Sequence, residues 1–172
     1  MPDIEPLVRF CKGEIMSEAC SISIHDQPNP NDVCAIEDGL RKFNLQYAPP
    51  DNHRPLVAVL RSDDDRLLGG LIGITFWGWL HVDILWIDET LRHQGWGSRL
   101  LQSAEEEAMR RGCHYAFLDT MSFQALPFYQ QLGYTIFGVQ QDIPLGHSRY
   151  YLQKVLLQVS RNPIEGATGY AD

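Results

Sequence analysis

The chain is short of positive charge: 14 Lys and Arg stand against 22 Asp and Glu, a formal net charge of −8. Nucleic acid and anionic bilayers both need clustered Lys and Arg, so neither is expected as a partner. Cysteine is sparse and unpatterned. Cys11, Cys20, Cys34 and Cys113 form no CxxC pair, and the six histidines fall into no HExxH or Cys/His cluster. That predicts reduced thiols in a cytoplasmic protein and no metal site. Long apolar runs are missing as well. The stretch LLGGLIGITFWGWL falls short of the ~18 residues a membrane span needs, and Asp83 soon follows it. No apolar signal core follows the N-terminus. Met16 offers a second possible start, since the residues before it show little organised pattern.

Periodicity is present in its place. At 44% hydrophobic residues, a chain of 172 can fill the core of one domain. SISIHDQP alternates as a first strand would. NPNDVCAIEDGLRKFN reads as a helix capped by Asn31 or Asp32, with Val33, Ile36, Leu40 and Phe43 on one face. PLVAVLR, LLGGLIGITFW and LHVDILWI then form an antiparallel meander, with turns at SDDD and Gly78. A helix over 96–111 turns Leu100, Leu101, Ala104 and Ala108 inward and puts EEE and RR on its other face, and Gly112 ends it. CHYAFLDT is a strand, QALPFYQQLG a short helix with Pro127 in its first turn, and YTIFGVQQ and SRYYLQKVLLQV the last strands. The order predicts an α/β fold of mixed type. One domain over 20–160 holds a central mixed, largely antiparallel sheet flanked by helices. Residues 1–19 form a lead-in and 161–172 a mobile tail.

The sharpest local feature is LRHQGWGSRLL, a strand running through two glycines into a helix. A helix N-terminus offers unpaired N–H groups and a positive dipole, and glycine lets the backbone approach an anion closely. The spacing Arg92-x-x-Gly95-x-Gly97 is neither a dinucleotide fingerprint nor a P-loop. Alone it fits a structural turn equally well.

Together, LHVDILWIDETLRHQGWGSRLL and the later FYQQLGY resemble the GNAT superfamily of acetyl-CoA-dependent N-acetyltransferases. Arg92, Gly95 and Gly97 match its [R/Q]xxGx[G/A] motif. Tyr129, Gly133 and Tyr134 match its late tyrosine element. The likeness covers residues 66–155 well and the N-terminal part only in layout. It implies that Arg92, His93, Gln94, Gly95, Trp96, Gly97 and Ser98 wrap the coenzyme pyrophosphate, although Arg92 could instead pair with DET and Trp96 could simply pack. Leu85, Trp86 and Ile87 line the pantetheine arm, with the amide at or next to Leu85 steadying the acetyl oxygen. Tyr129 is the implied general acid, or else a packed, hydrogen-bonded tyrosine. Ser122 stands near a position where many relatives carry Asn, which puts one coenzyme contact in doubt.

His81, Asp83, Leu85 and Ile87 share a strand face by the period of two. Asp83 leads as the base that deprotonates the acceptor, with His81 or a water relay behind it. Cys113 reads as a core thiol, which favours direct transfer in a ternary complex. The resemblance places the acceptor among Asn44, Tyr47, Trp77, Trp79, His81 and Asp83, where aromatic faces and a carboxylate would hold a cation. Those aromatic residues could equally be core packing. The expected activity is acetylation of a primary amine on a small molecule. A protein or peptide acetyltransferase and a non-catalytic acyl-CoA-binding module are the alternatives. The apolar last strand makes a homodimer a further expectation.

Overall fold

A computed structural model describes residues 20–157. The expected lead-in and the 161–172 tail lie outside them. The chain divides into two compact units, 1–48 and 49–172.

In the first unit, helix α1 runs over Pro30–Asn44. It starts earlier than the expected caps. The side chain of Asn29 accepts from the Asn31 N–H at 2.9 Å, and Pro30 fits the first turn because its nitrogen has no hydrogen to donate. Asp32 opens the helix and Arg41 and Lys42 close it, in the sense the helix dipole favours. The strand expected at SISIHDQP does not form: residues 20–29 are irregular. Four alternating residues supply a pattern but no neighbouring edge, and a strand exists only through the hydrogen bonds of a neighbour.

The second unit is built on a six-stranded sheet. Its strands are β1 (Arg54–Arg61), β2 (Leu67–Phe76), β3 (Trp79–Ile87), β4 (Tyr115–Met121), β5 (Thr135–Gln141) and β6 (Ser148–Val155). They lie in the order β1-β2-β3-β4-β6-β5. Only β3 and β4 run parallel; the other neighbours are antiparallel. The β2–β3 hairpin turns on Trp77 and Gly78, with φ of 43° and 76°. Two positive φ values in succession match the right-handed twist of the flanking strands.

Between β3 and β4 comes helix α2 (Trp96–Arg110), packed on β1, β2 and β3. Between β4 and β5 comes the short helix α3 (Leu126–Gln131). Leu71, Leu80, Val82, Ala116, Leu118 and Leu152 face Leu101, Ala104 and Ala108 of α2 in one core. The expected polar face of α2 needs correction at two positions. Glu105 is buried, where it accepts from the Tyr134 hydroxyl at 2.9 Å and from the Lys154 ammonium at 2.6 Å. Arg111 reaches across to the carbonyls of Arg54 and Pro55 and to Thr75. Among the described residues no helix is long and apolar enough to cross a membrane.

Candidate active site

β3 and β4 start as partners and then part. Their register runs from Trp79–Tyr115 to Val82–Leu118 and stops there, although both strands continue. At the same point β3 carries a bulge. Ile72 of β2 faces Ile84 and Gly73 faces Val82, so Asp83 is an extra residue with no partner. Gly73 is tied to that bulge: a Cβ there would lie 2.4 Å from the carbonyl oxygen of His81.

The bulge corrects the expected face. His81 stands opposite Ile74 on the side away from α2, whereas Leu85 and Ile87 stand opposite Leu71 and Gly69 on the core side. An inserted residue resets the two-residue alternation, so His81, Asp83, Leu85 and Ile87 do not share one face. It also sorts the backbone groups. The Asp88 N–H donates to Leu68 of β2 at 2.8 Å. Alternation then turns the groups of Trp86 towards β2 and those of Leu85 and Ile87 into the gap. The side chain of Trp86 is exposed beside Ile72 and Ile84, away from that gap.

One end of the gap is closed by the glycine turn. A short 3-10 helix over Glu89–Leu91 is capped by Asp88, which accepts from the Thr90 N–H at 3.0 Å. Arg92 donates through Nε to the Ile87 carbonyl at 3.3 Å and lies 3.9 Å from Glu89, so the pairing with DET is present, loosely. Gln94 donates to the Thr90 carbonyl. His93 and Gly95 have φ of 61° and 83°. Gly95 caps α2 with no side-chain hydrogen bond, leaving the first N–H groups of the helix for a ligand. Trp96 packs under the Arg99 guanidinium, 4.5 Å from its ring centre, and Ser98 lies in the first turn. A converging set of N–H groups at a positive dipole suits a diphosphate.

Tyr129, on α3, stands on the core side of the gap and is 8% exposed. Burial first, and the nearby Asp119 charge second, hold its phenol above the ordinary value. Among the described residues nothing hydrogen-bonds its hydroxyl, so the alternative of a bonded, purely structural tyrosine loses its support.

Asp83, Asp119 and Arg149 gather on the opposite side. Arg149 of β6 grips Asp119 with two hydrogen bonds, Nε at 2.6 Å and Nη2 at 2.7 Å. Asp83 is near enough for its charge to act on Arg149. The sequence reading missed Asp119 and Arg149. Alternation in YAFLDTM does put Asp119 outward, but a partner 30 positions away leaves no local signal.

Other expected residues fall elsewhere. The hydroxyl of Ser122 is engaged by His147 and by the Ser148 N–H, 3.2 Å each. Gln124 accepts from the Met121 N–H at 2.7 Å. Trp77 sits at the hairpin tip, its indole donating to the Pro49 carbonyl at 2.8 Å. Six strand positions, roughly 20 Å, separate it from Asp83. Trp79 and His81 lie on the outward face of β3, stacked against Tyr115 and Phe117 of β4. Asn44 and Tyr47 belong to the first unit, at and just beyond the end of α1. Cys113 is buried and its thiol is pushed up by that burial, as suits a core residue. No group of His, Cys, Asp and Glu among the described residues could hold a metal ion.

Comparison with known proteins agrees with this geometry. The sequence profile described as the Acetyltransferase (GNAT) family matches residues 19–134. Acetyltransferase Atu2258 of Agrobacterium fabrum is 41% identical over 120 residues, covering 70% of this chain and 88% of the relative. Blasticidin-S acetyltransferase of Streptomyces morookaense is 44% identical over 116 residues, covering 65% and 85%. The crystal structure of an acetyltransferase from Bacillus cereus superposes with a TM-score of 0.70 at 31% identity, covering 77% of this chain and 97% of that one.

Proposed function

The chain belongs to the GNAT acetyltransferase family, and from that premise we propose that it moves an acetyl group from acetyl-CoA directly to a primary amine of a small molecule. That it is an acetyltransferase follows from the family and its relatives; the small-molecule acceptor is our reading. The observation that carries it is the parting of β3 and β4 beyond Val82 and Leu118. It opens a window through the sheet, with Tyr129 on one side and Asp83 and His81 on the other. The S. morookaense relative, named for acetylating blasticidin S, supports an acceptor of small-molecule type.

The residues present fit acetyl-CoA. The turn from Arg92 to Ser98 holds the diphosphate, and the backbone groups of Leu85 and Ile87 meet the pantetheine arm in the gap. When bound, the coenzyme supplies an acetyl group as a thioester. The Leu85 amide stabilises the oxyanion that develops on the thioester carbonyl, preorganised for it by the strand. Asp83 takes the ammonium proton of the acceptor, directly or through water, with His81 as the neighbouring alternative. The freed nitrogen lone pair attacks, the carbon–sulfur bond breaks, and Tyr129 gives its proton to the departing thiolate. A phenol kept protonated by burial is ready for that transfer at neutral pH. We take residues 20–160 as the domain that does this.

Acetyl-CoA should raise the thermal midpoint of the protein, and amines should then release free thiol. Tyr129→Phe should lower kcat by about 10²-fold or more, the usual weight of a general acid. Its affinity for acetyl-CoA should stay within about twofold, because no coenzyme-turn group is touched. Full turnover in that variant would remove Tyr129 from the mechanism. No binding of any acyl-CoA by the wild type would remove the proposal itself.

A further inference from the structure

Away from α2, β3 and β4 carry side chains in facing rows. Trp79 faces Tyr115 and His81 faces Phe117 in register. The rings of each pair are stacked, with centroids 4.6 Å apart at 24° and 4.4 Å apart at 6°. Phe76 meets Phe117 edge-on at 6.1 Å. Phe76, Trp79, Phe117 and Phe137 border an apolar groove of about 410 Å³. One further step along the strands, roughly 7 Å, the row becomes Asp83 and Asp119, where the strands have parted.

Stacking across the strands spends the ring faces on each other. Side chains stand upright on a sheet, so each pair shows its rims outward. A rim is the positive part of the aromatic quadrupole, and a cation seeks the negative face. This floor therefore repels a cation and accepts the face of another flat π-system. The sequence-based expectation that aromatic faces hold the cation is revised accordingly. Positive charge belongs at the end of the row instead. Two carboxylates meet one guanidinium there, and Arg149 is fully engaged with Asp119. Among the described residues Asp83 has no ion-pair partner.

The geometry points to an acceptor in two parts: a flat unsaturated ring laid across the rims of His81 and Phe117, and a primary amine held at Asp83 about 7 Å away. That spacing corresponds to a tether of two or three carbons. The inference rests on the acetyltransferase reading and names the substrate class of the same site.

The test uses initial rates of thiol release with acetyl-CoA in excess. The amines are a matched panel: phenyl, indolyl and pyrimidinyl rings on two- and three-carbon tethers, alkylamines of equal length, and linear diamines. Ring amines should exceed alkylamines by about tenfold in kcat/KM, as two edge-to-face contacts allow, with the difference carried by KM. Phe117→Leu, which keeps apolar volume, and His81→Gln should each bring that ratio close to one. A ratio near one in the wild type, diamines preferred over ring amines, or a ratio that survives both substitutions would each overturn the inference. So would sedimentation showing a dimer that Trp79→Ser dissociates, because the face would then be an interface between copies. Calorimetric binding of acetyl-CoA separates the two levels. If it is absent, the acetyltransferase reading fails and takes this one with it. If it is present without ring preference, only this inference fails.

Discussion

Gly95 and Gly97 answer different demands two positions apart. Gly95 sits at φ 83° with nothing within 4 Å of a hypothetical Cβ, so its need is conformational. Gly97 has an ordinary helical backbone and lies where a Cβ would meet the Phe128 ring at 3.4 Å, so its need is close approach, and one methyl fits. Gly95→Ala should cost about 1–2 kcal/mol, the strain of a left-handed alanine. Gly97→Ala should be neutral or stabilising by up to about 1 kcal/mol, because alanine favours helix over glycine. Urea unfolding of the two variants checks this, and equal losses would show that one cause governs both. The turn was legible in the sequence because its chemistry is local: strand, glycine, helix. Asp83 was legible as a candidate but not as a bulge, since the extra residue is defined only against Ile72 and Gly73 on the neighbouring strand.

At the scale of elements, most strands and helices were readable because each carries its own period. The failures occur where an element depends on a partner. SISIHDQP alternates without a neighbour and stays irregular. Glu105 was assigned to solvent as one of three consecutive glutamates, yet it lies four residues after Leu101 and three before Ala108, inside the buried stripe. The helical period held that signal. What the sequence did not hold was the identity of Tyr134 and Lys154 as its partners. Glu105→Ala would leave a buried ammonium and a buried phenol unpartnered, and should destabilise the fold by about 3–5 kcal/mol. Glu105→Gln, which can still accept from Tyr134, should lose less. Chemical denaturation of both variants reads the difference, and a loss under about 1 kcal/mol for alanine would mean the network is solvated. Gly73→Ala bears on the other partner-dependent element. Its Cβ would press on backbone, which has no rotamer to yield, so β3 must shift at the bulge. Both stability and turnover should fall, and loss of stability alone would separate the bulge from the chemistry.

Across the whole molecule, the ionisable groups divide by depth, and that division sets a pH profile. Asp64, Asp88 and Glu107 are exposed carboxylates held below their ordinary values, chiefly by hydrogen bonds from Ser62, Thr90 and Arg111. Their contribution is present above the ordinary values of 3.8 and 4.5 and fades as pH falls below them. Solvent screening keeps it small. The interior carries the opposite sign. Burial raises the Cys113 thiol above 9.0 and the Tyr129 and Tyr134 phenols above 10.0, with the Asp119 charge adding to Tyr129 and the Glu105 charge to Tyr134. A group whose folded value is raised keeps its proton in the fold after the unfolded chain has lost it. Stability is therefore complete below pH 9 and falls as pH rises, by about 1.4 kcal/mol per pH unit for each group past its unfolded value. Tyr129→Phe isolates one share of this slope, because its hydroxyl has no protein partner among the described residues and its removal should cost little at pH 7. Above pH 10 that variant should lose stability more slowly than the wild type. Tyr134→Phe should show the same flattening on top of a constant deficit from the lost Glu105 hydrogen bond. Thermal midpoints of the three proteins between pH 6 and 11 check the argument, and parallel curves through the alkaline range would show that the phenols are not what fails there.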